Sequence, residues 1–280
     1  MDVLTVDYYQ KDAPKRFTDS LKNTGFCVLE THPIDWQLIE TIYQEWRDFM
    51  MSDAVKAYQF DQAKQDGYFP MDISETAKGQ DSKDIKHFYH LYFPWGRYPK
   101  EVSDRAKQLF DQLFELGKTL LQWIDDYMDP SIAAQLPGKL ADTVDYQQTL
   151  LRILHYPALS GQEDPNSIRA AAHEDINLIT LLPSASAPGL EVYSPFTEQW
   201  YEVPYKNQSI IINIGDMLQE MTQKQYIATT HRVKKPADDD GSDRVSTPCF
   251  IHPKPTVYLS ERYPQASDFL EERLRELGVK

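Results

Sequence analysis

Residues 173 to 182 read His173-Glu174-Asp175-Ile176-Asn177-Leu178-Ile179-Thr180-Leu181-Leu182, a polar start followed by a strand-forming run. Side chains alternate along an extended chain, so His173 and Asp175 share one side and Glu174 points away. An imidazole beside a carboxylate supplies two ligands of a metal site. A His-x-Asp pair also arises by chance, and it is then only a polar feature at a strand edge. The interpretation therefore depends on a third ligand elsewhere in the chain.

A third ligand is offered by Thr230-His231-Arg232-Val233, which lies between two β-rich segments. His173, Asp175 and His231 would together give two histidines and one carboxylate. This set leaves three coordination positions open and is typical of non-haem Fe(II) oxygenases.

A carboxylate receptor follows in Arg244-Val245-Ser246, at the start of the last strong β-segment. Positions 244 and 246 share one face of a strand. A guanidinium binds both oxygens of a carboxylate at once, and a neighbouring hydroxyl adds a further donor. The same region therefore offers an iron-type ligand set and an anchor for an organic acid.

The surrounding sequence changes character near residue 148. Before it, apolar residues recur at helical spacing, as in Trp36 to Phe49 after a capping Asp35 and in Val102 to Tyr127. After it, short β-rich segments alternate with proline and glycine turns and lack intervening helices. This pattern favours a sandwich or barrel over a parallel sheet. A final helix is predicted from Ser267.

Composition and charge exclude several classes of protein. The 280 residues carry 29 Lys and Arg against 43 Asp and Glu, a net charge of −14, without a basic stripe that could bind a phosphate backbone. We therefore expect no nucleic-acid partner. No apolar run is long enough to cross a membrane, and the first residues lack the basic leader of a signal peptide. Cys27 and Cys249 are too far apart for a spaced metal pair, and we expect reduced core thiols in a cytoplasmic protein.

A series of short motifs resembles the isopenicillin N synthase-like branch of the Fe(II)- and 2-oxoglutarate-dependent oxygenases. Each motif is common alone, but all of them occur in order along nearly the whole chain. The matching stretches are Gly25-Phe26-Cys27-Val28, Gly67-Tyr68, Asp84-Ile85-Lys86-His87-Phe88, Leu151-Arg152-Ile153-Leu154-His155-Tyr156-Pro157, residues 173–182, Gly189-Leu190-Glu191-Val192, Asn213-Ile214-Gly215-Asp216-Met217-Leu218-Gln219, His231-Arg232-Val233 and Arg244-Val245-Ser246-Thr247-Pro248.

The resemblance implies a mainly β protein with flanking helices, built on a double-stranded β-helix, a cupin-like jelly roll. It implies three parts: a helical and α+β N-terminal region over residues 1–145, the oxygenase core over 146–255 and a C-terminal helix over 256–280. The chain would be an oxidoreductase that couples decarboxylation of 2-oxoglutarate to O2-dependent oxidation of a small molecule.

The resemblance also implies the roles of individual residues. Fe(II) would be bound by His173, Asp175 and His231. The distal carboxylate of 2-oxoglutarate would be held by Arg244 and Ser246, with help from Tyr156.

The N-terminal aromatic segment supplies candidates for the substrate pocket, namely Tyr68, Phe88 and Tyr92, although packing of the N-terminal helices on the barrel is the more common role of such residues. Two positions depart from the family pattern. Leu154 stands where the family commonly has Asn, which removes a polar contact to the co-substrate. Asn177 stands where it often has Gly, which affects the turn after Asp175.

Three alternatives stay open at this point. The chain could be a family member that does not use 2-oxoglutarate, as in isopenicillin N synthase and the plant ethylene-forming oxidase. Two histidines and a carboxylate also suit hydrolytic zinc chemistry, although zinc would not call for the Arg-Ser anchor. The same jelly roll could be a non-catalytic metal-binding module. The sequence leaves the prime substrate and the oligomeric state open.

Overall fold

The structure, a computed structural model, describes residues 1–71, 84–158, 169–184, 188–234 and 243–276. Within these ranges the β-strands are β1 Thr5–Asp7, β2 Phe26–Glu30, β3 Gly67–Phe69, β4 His87–Tyr92, β5 Leu150–Tyr156, β6 Ala170–His173, β7 Ile179–Pro183, β8 Leu190–Ser194, β9 Gln199–Glu202, β10 Ile210–Ile214, β11 His231–Val233, β12 Arg244–Ser246 and β13 Cys249–Ile251. The α-helices are α1 Ala13–Thr24, α2 Trp36–Met51, α3 Arg105–Asp126, α4 Pro130–Ala133, α5 Leu140–Thr143, α6 Asp216–Met221 and α7 Ala266–Glu276, and a 3-10 helix covers Asp53–Tyr58.

The start of α2 and the end of α1 follow local signals in the sequence, whereas α3 begins three residues after the predicted Val102 and α7 one residue before the predicted Ser267. The carboxylate of Asp35 accepts hydrogen bonds from the backbone N–H groups of Gln37 and Leu38 and so caps α2. Helix α1 ends at Gly25, whose φ of 74° lies in the left-handed region. A side chain at Gly25 would collide with Thr229 as well as being strained.

The strands form two sheets, and the fold is the predicted mainly β architecture with flanking helices. The major sheet has the order β1-β2-β10-β7-β13-β5-β4-β3, with β12 also paired to β5. The minor sheet has the order β6-β11-β8-β9. A small apolar cluster that includes Phe26, Val192 and Val233 draws residues from both sheets. The jelly-roll core places one end of this inter-sheet space beside β5, β6, β11 and β12.

The N-terminal region extends the major sheet across residue 145. Strand β4 pairs with β5 over its whole length, and β2 pairs with β10. The hydrogen bonding of the major sheet is therefore continuous across residue 145. The division of the chain at residues 145 and 255 stays a prediction.

The large apolar core includes buried residues of α1, α2, α3 and the major sheet. Helix α3 buries Leu109, Leu113 and Leu120 there, as its spacing predicts. The two cysteines are buried and unpaired, as expected. Among the described helices, none combines the length and hydropathy that crossing a membrane requires.

Candidate metal centre and co-substrate site

The structure brings the three predicted metal ligands together at one end of the inter-sheet space. His173 ends β6, His231 begins β11, and the two are direct partners in the register of these antiparallel strands. Asp175 lies just beyond β6. One ligand atom from each residue lies within 4.8 Å of the others, and Asp175 Oδ1 is 3.6 Å from His173 Nε2 and 3.8 Å from His231 Nε2. The three side chains therefore converge on one point.

Both imidazoles are oriented by hydrogen bonds from their far nitrogens. His173 Nδ1 donates to the carbonyl oxygen of Ala171 at 2.7 Å, and His231 Nδ1 donates to that of Thr229 at 3.1 Å. A carbonyl can only accept, so each Nδ1 carries a hydrogen, and the neutral form of each ring then keeps its lone pair on Nε2. This is the arrangement in which a backbone carbonyl fixes the tautomer of a metal-binding histidine.

The carboxylate of Asp175 is held in a complementary way. Its Oδ2 accepts hydrogen bonds from Thr180 Oγ1 at 2.5 Å and from Asn213 Nδ2 at 2.8 Å. The amide of Asn177 in turn donates to Thr180 Oγ1, which gives the departure from glycine at position 177 a structural role. Oδ1 is left to face the two Nε2 atoms.

The protonation states suit a metal site. Burial acts to raise the pKa of Asp175, but His231, His173 and the donors Asn213 and Thr180 outweigh it, so this pKa lies below its usual value. Desolvation, and next the adjacent His231, lowers the pKa of His173 to about 4. Near neutral pH, His173 is therefore an uncharged imidazole and Asp175 is a carboxylate.

Arg244, Ser246 and Tyr156 lie in the same cavity, which has a volume of about 590 Å³ including its mouth. Arg244 is opposite Tyr156 in the register of β12 and β5, and its guanidinium carbon lies 5.6 Å from the Tyr156 ring centre. Ser246 is opposite Leu154. Alternation on these two strands therefore turns all four side chains to one side, as the sequence predicts for 244 and 246.

The guanidinium of Arg244 is buried without an acidic partner among the described residues. Only 4% of Arg244 is exposed, its Nη1 donates to the carbonyl of Pro188 at 3.1 Å, and its buried Nε has no hydrogen-bond partner. Desolvation is the main cause that lowers its pKa. A buried cation in this state calls for an anion.

Several cavity residues were not assigned a role from the sequence. Lys86 and Arg152 line the cavity, and Lys86 pairs with Asp84 at 2.8 Å where both are buried. Arg169 is 3% exposed, with its guanidinium carbon 6.0 Å from the Tyr156 ring centre. Alternation along β5 places Arg152 on the same face as Tyr156, so its position in the cavity could have been predicted from the sequence. The positions of Lys86 and Arg169 depend on distant strands and carry no local signal.

The three predicted substrate-pocket residues lie in different places. Tyr68 faces the large apolar core and hydrogen bonds to His87. Phe88 faces the opposite side of the sheet, where it packs with Leu154 and Tyr156 and lies under the guanidinium of Arg152. Tyr92 stacks on Trp95 at a ring distance of 4.6 Å.

The residues present fit Fe(II) and 2-oxoglutarate. Two imidazole nitrogens and one carboxylate oxygen are free to bind a metal on one side while leaving other positions open. The unpaired guanidinium of Arg244 in the same cavity provides the receptor for an organic anion. A hydrolytic zinc site would account for the two imidazoles and the carboxylate, but it would leave the buried Arg244 without a counter-ion.

Comparison with known proteins gives the family. Residues 148–253 match the model of the 2OG-Fe(II) oxygenase superfamily. A candidate oxygenase from Shewanella oneidensis is 45% identical, with a TM-score of 0.89 and full coverage of both chains. A candidate 2OG-Fe(II) oxygenase family protein from Caulobacter crescentus is 29% identical, with a TM-score of 0.80 and coverage of 98% of this chain and 99% of that chain.

A curated relative is also similar over most of its length. Clavatol oxidase claD from Penicillium crustosum is 26% identical over 255 residues, which cover 80% of this chain and 75% of that protein. With the two structural neighbours, this likeness extends well beyond the β-rich core. The protein belongs to the 2OG-Fe(II) oxygenase superfamily and is an Fe(II)- and 2-oxoglutarate-dependent dioxygenase that acts with O2 on a small molecule.

Proposed function

We propose that His173, Asp175 and His231 bind the catalytic Fe(II) of this dioxygenase. The observation that carries the assignment is the convergence of one free ligand atom from each residue within 4.8 Å. Hydrogen bonds to Ala171 and Thr229 hold the two imidazoles in the tautomer that a metal requires.

Arg244, Ser246 and Tyr156 are proposed to hold the distal carboxylate of 2-oxoglutarate. Arg244 supplies the charge and Ser246 a hydroxyl on the same strand face. Leu154 gives the cavity an apolar side chain where the family commonly has Asn. The binding of 2-oxoglutarate therefore depends more on Arg244. When bound, Fe(II) and 2-oxoglutarate supply the oxidising chemistry, in which the co-substrate becomes succinate and CO2 as O2 oxidises the substrate.

The prime substrate is proposed to enter beside β4 and β5. Of the three predicted pocket residues, Phe88 has the strongest support, because it packs on cavity-lining Leu154 and Arg152. Tyr68 and Tyr92 remain predictions.

Two substitutions test these roles separately. Asp175→Ala is expected to abolish Fe(II) binding in anaerobic calorimetry, because only two ligands remain. Arg244→Ala is expected to keep Fe(II) and to weaken 2-oxoglutarate binding by about 2–4 kcal/mol, the cost of leaving one member of a buried charge pair alone. Normal co-substrate binding by Arg244→Ala would contradict the anchor assignment.

The 2-oxoglutarate-independent alternative makes a different prediction. Release of labelled CO2 from 1-labelled 2-oxoglutarate, dependent on Fe(II), is expected of the wild type. An enzyme of the alternative type would oxidise its substrate without releasing that label.

We further propose a cytoplasmic protein without a nucleic-acid partner. Two unpaired buried thiols, Cys27 and Cys249, suit a reducing compartment, and a net charge of −14 opposes binding to phosphate backbones. Fractionation of cells and a nucleic-acid binding assay at low salt would test these two statements.

A further inference from the structure

A chain of buried hydrogen bonds crosses the face of the major sheet that is turned away from the metal centre. Tyr68 Oη is 2.8 Å from His87 Nδ1, His87 Nε2 is 2.6 Å from His155 Nδ1, and His155 Nε2 is 2.9 Å from Asp243 Oδ2. On the other side of Asp243, Arg47 Nη1 lies 3.3 Å from its Oδ1. His87, His155 and Asp243 have no part in the proposed binding of Fe(II) or 2-oxoglutarate.

The chemistry of the groups fixes the direction of this chain. A carboxylate only accepts, so His155 Nε2 carries a hydrogen and its Nδ1 accepts one from His87 Nε2. His87 Nδ1 then accepts from the hydroxyl of Tyr68. Every donor and acceptor is matched with both imidazoles neutral, and burial of His155 to 1% exposure makes an unmatched group costly.

The chain ends at the residue that precedes the co-substrate anchor. Asp243 is followed directly by β12, in which Val245 is opposite His155 and Arg244 is opposite Tyr156. Alternation puts Asp243, Val245 and His155 on the face that packs against the large apolar core, and Arg244 on the cavity face. Holding the Asp243 side chain on the core face therefore determines that the Arg244 side chain points into the cavity.

Arg244 itself has little else to hold it in place. Its polar contact among the described residues is the single hydrogen bond from Nη1 to the Pro188 carbonyl, and its Nε has no partner. Its guanidinium carbon also lies 5.6 Å from the Tyr156 ring centre, a contact that depends on the register of β12 with β5. The position of Arg244 therefore follows from that of its strand.

We propose that Asp243 and His155 are positioning residues for 2-oxoglutarate, because their hydrogen bond fixes the start of β12 and so places Arg244. This inference rests on the proposed role of Arg244. It gives a function to two residues that touch neither the metal site nor the co-substrate.

The test measures 2-oxoglutarate binding to anaerobic Fe(II)-loaded protein by calorimetry, alongside Fe(II) affinity and steady-state kinetics. Asp243→Ala is expected to weaken 2-oxoglutarate binding roughly ten- to a hundredfold, the effect of losing one charge-assisted hydrogen bond. Fe(II) affinity and kcat at saturating co-substrate should stay near the wild-type values, while KM for 2-oxoglutarate rises.

Rescue and control variants separate positioning from general damage. Asp243→Asn keeps an acceptor for His155 Nε2 and is expected to restore most of the affinity. His155→Phe breaks the same bond from the other strand and should reproduce the loss, even if Asp243→Ala folds poorly.

Asp125→Ala is the matched control, because Asp125 is a buried carboxylate that accepts a hydrogen bond from the N–H of Leu140 and has no contact with β12 or β5 among those described. It should lower stability but leave 2-oxoglutarate binding unchanged.

The outcomes distinguish this inference from the proposed function. If Arg244→Ala loses the co-substrate while folded Asp243→Ala and His155→Phe bind it normally, the positioning role is wrong and the anchor stands. If Asp243→Asn is as weak as Asp243→Ala, the hydrogen-bond explanation is likewise wrong. If Arg244→Ala binds normally, the proposed function fails instead.

Discussion

At the scale of single residues, the proposed metal site depends on the groups that hydrogen bond to its three proposed ligands. Asp175 presents one oxygen to the two Nε2 atoms because Thr180 and Asn213 occupy the other. The ligands themselves could be predicted from the spacing of His173 and Asp175 and from the strand that carries His231. Their orienting partners could not, because Asn213 lies 38 residues from Asp175 and only the pairing of β10 with β7 brings it close.

Removal of one orienting hydrogen bond should weaken metal binding without removing a ligand. Thr180→Val is expected to lower Fe(II) affinity by about 10- to 100-fold, the usual effect of losing an outer-shell partner. Anaerobic calorimetry measures it. Thr222→Val is the matched control, because Thr222 is equally buried but donates to the Leu218 carbonyl in α6. Equal Fe(II) affinity in Thr180→Val and Thr222→Val would contradict this account of Asp175.

At the scale of elements, strand pairing and one tight turn bring the site together. Strands β5 and β12 lie side by side, and their alternation gives the cavity face Tyr156, Arg244 and Ser246. The shared face of Arg244 and Ser246 was predictable from their spacing, whereas Tyr156 came from the family resemblance. The tight turn after β10 was not predictable from the sequence. Gly215 lies against Asn177 only because β10 pairs with β7.

Gly215 is predicted to be required by this close approach. A Cβ at Gly215 would overlap the backbone and side-chain oxygens of Asn177, next to the ligand Asp175. Gly215→Ala is therefore expected to destabilise the fold by about 1–3 kcal/mol, as for other overpacked sites. Gly138→Ala is the control, since a Cβ there meets nothing within 4 Å. Urea unfolding that gives the two variants equal stability would show that the turn has room to adjust.

At the scale of the whole molecule, the net charge of the chain and the basic side chains around the cavity have opposite signs. The chain carries a net charge of −14, yet Arg244, Arg169, Arg152 and Lys86 lie in or beside one cavity. Net charge argues against a nucleic-acid partner, which stays a prediction, and it gave no guide to the co-substrate. Closely spaced strands predicted a sandwich or barrel, and the family resemblance implied the jelly roll. The extension of the sheet by β2, β3 and β4 could not be predicted in this way, because it depends on pairings between distant segments.

Acid should destabilise the whole fold through His87. Desolvation, and next His155, lowers the pKa of His87 from 6.5 to about 4. The unfolded chain therefore binds a proton between these values before the folded one does. The stabilisation is complete above about pH 6.5 and is lost as the pH falls towards 4, with a total on the order of 3 kcal/mol. Urea unfolding across this range should show a weaker pH dependence in His87→Gln than in the wild type, and identical dependence would contradict the prediction.

The most direct test of the central claim is a spectroscopic titration of the wild-type protein without oxygen. If His173, Asp175 and His231 hold Fe(II) and Arg244 holds 2-oxoglutarate beside it, adding 2-oxoglutarate to the Fe(II)-loaded protein should produce a weak visible charge-transfer band that saturates. The band should be absent from Asp175→Ala and should need more co-substrate in Arg244→Ala. Absence of the band from the wild type at saturating Fe(II) and 2-oxoglutarate would contradict the account.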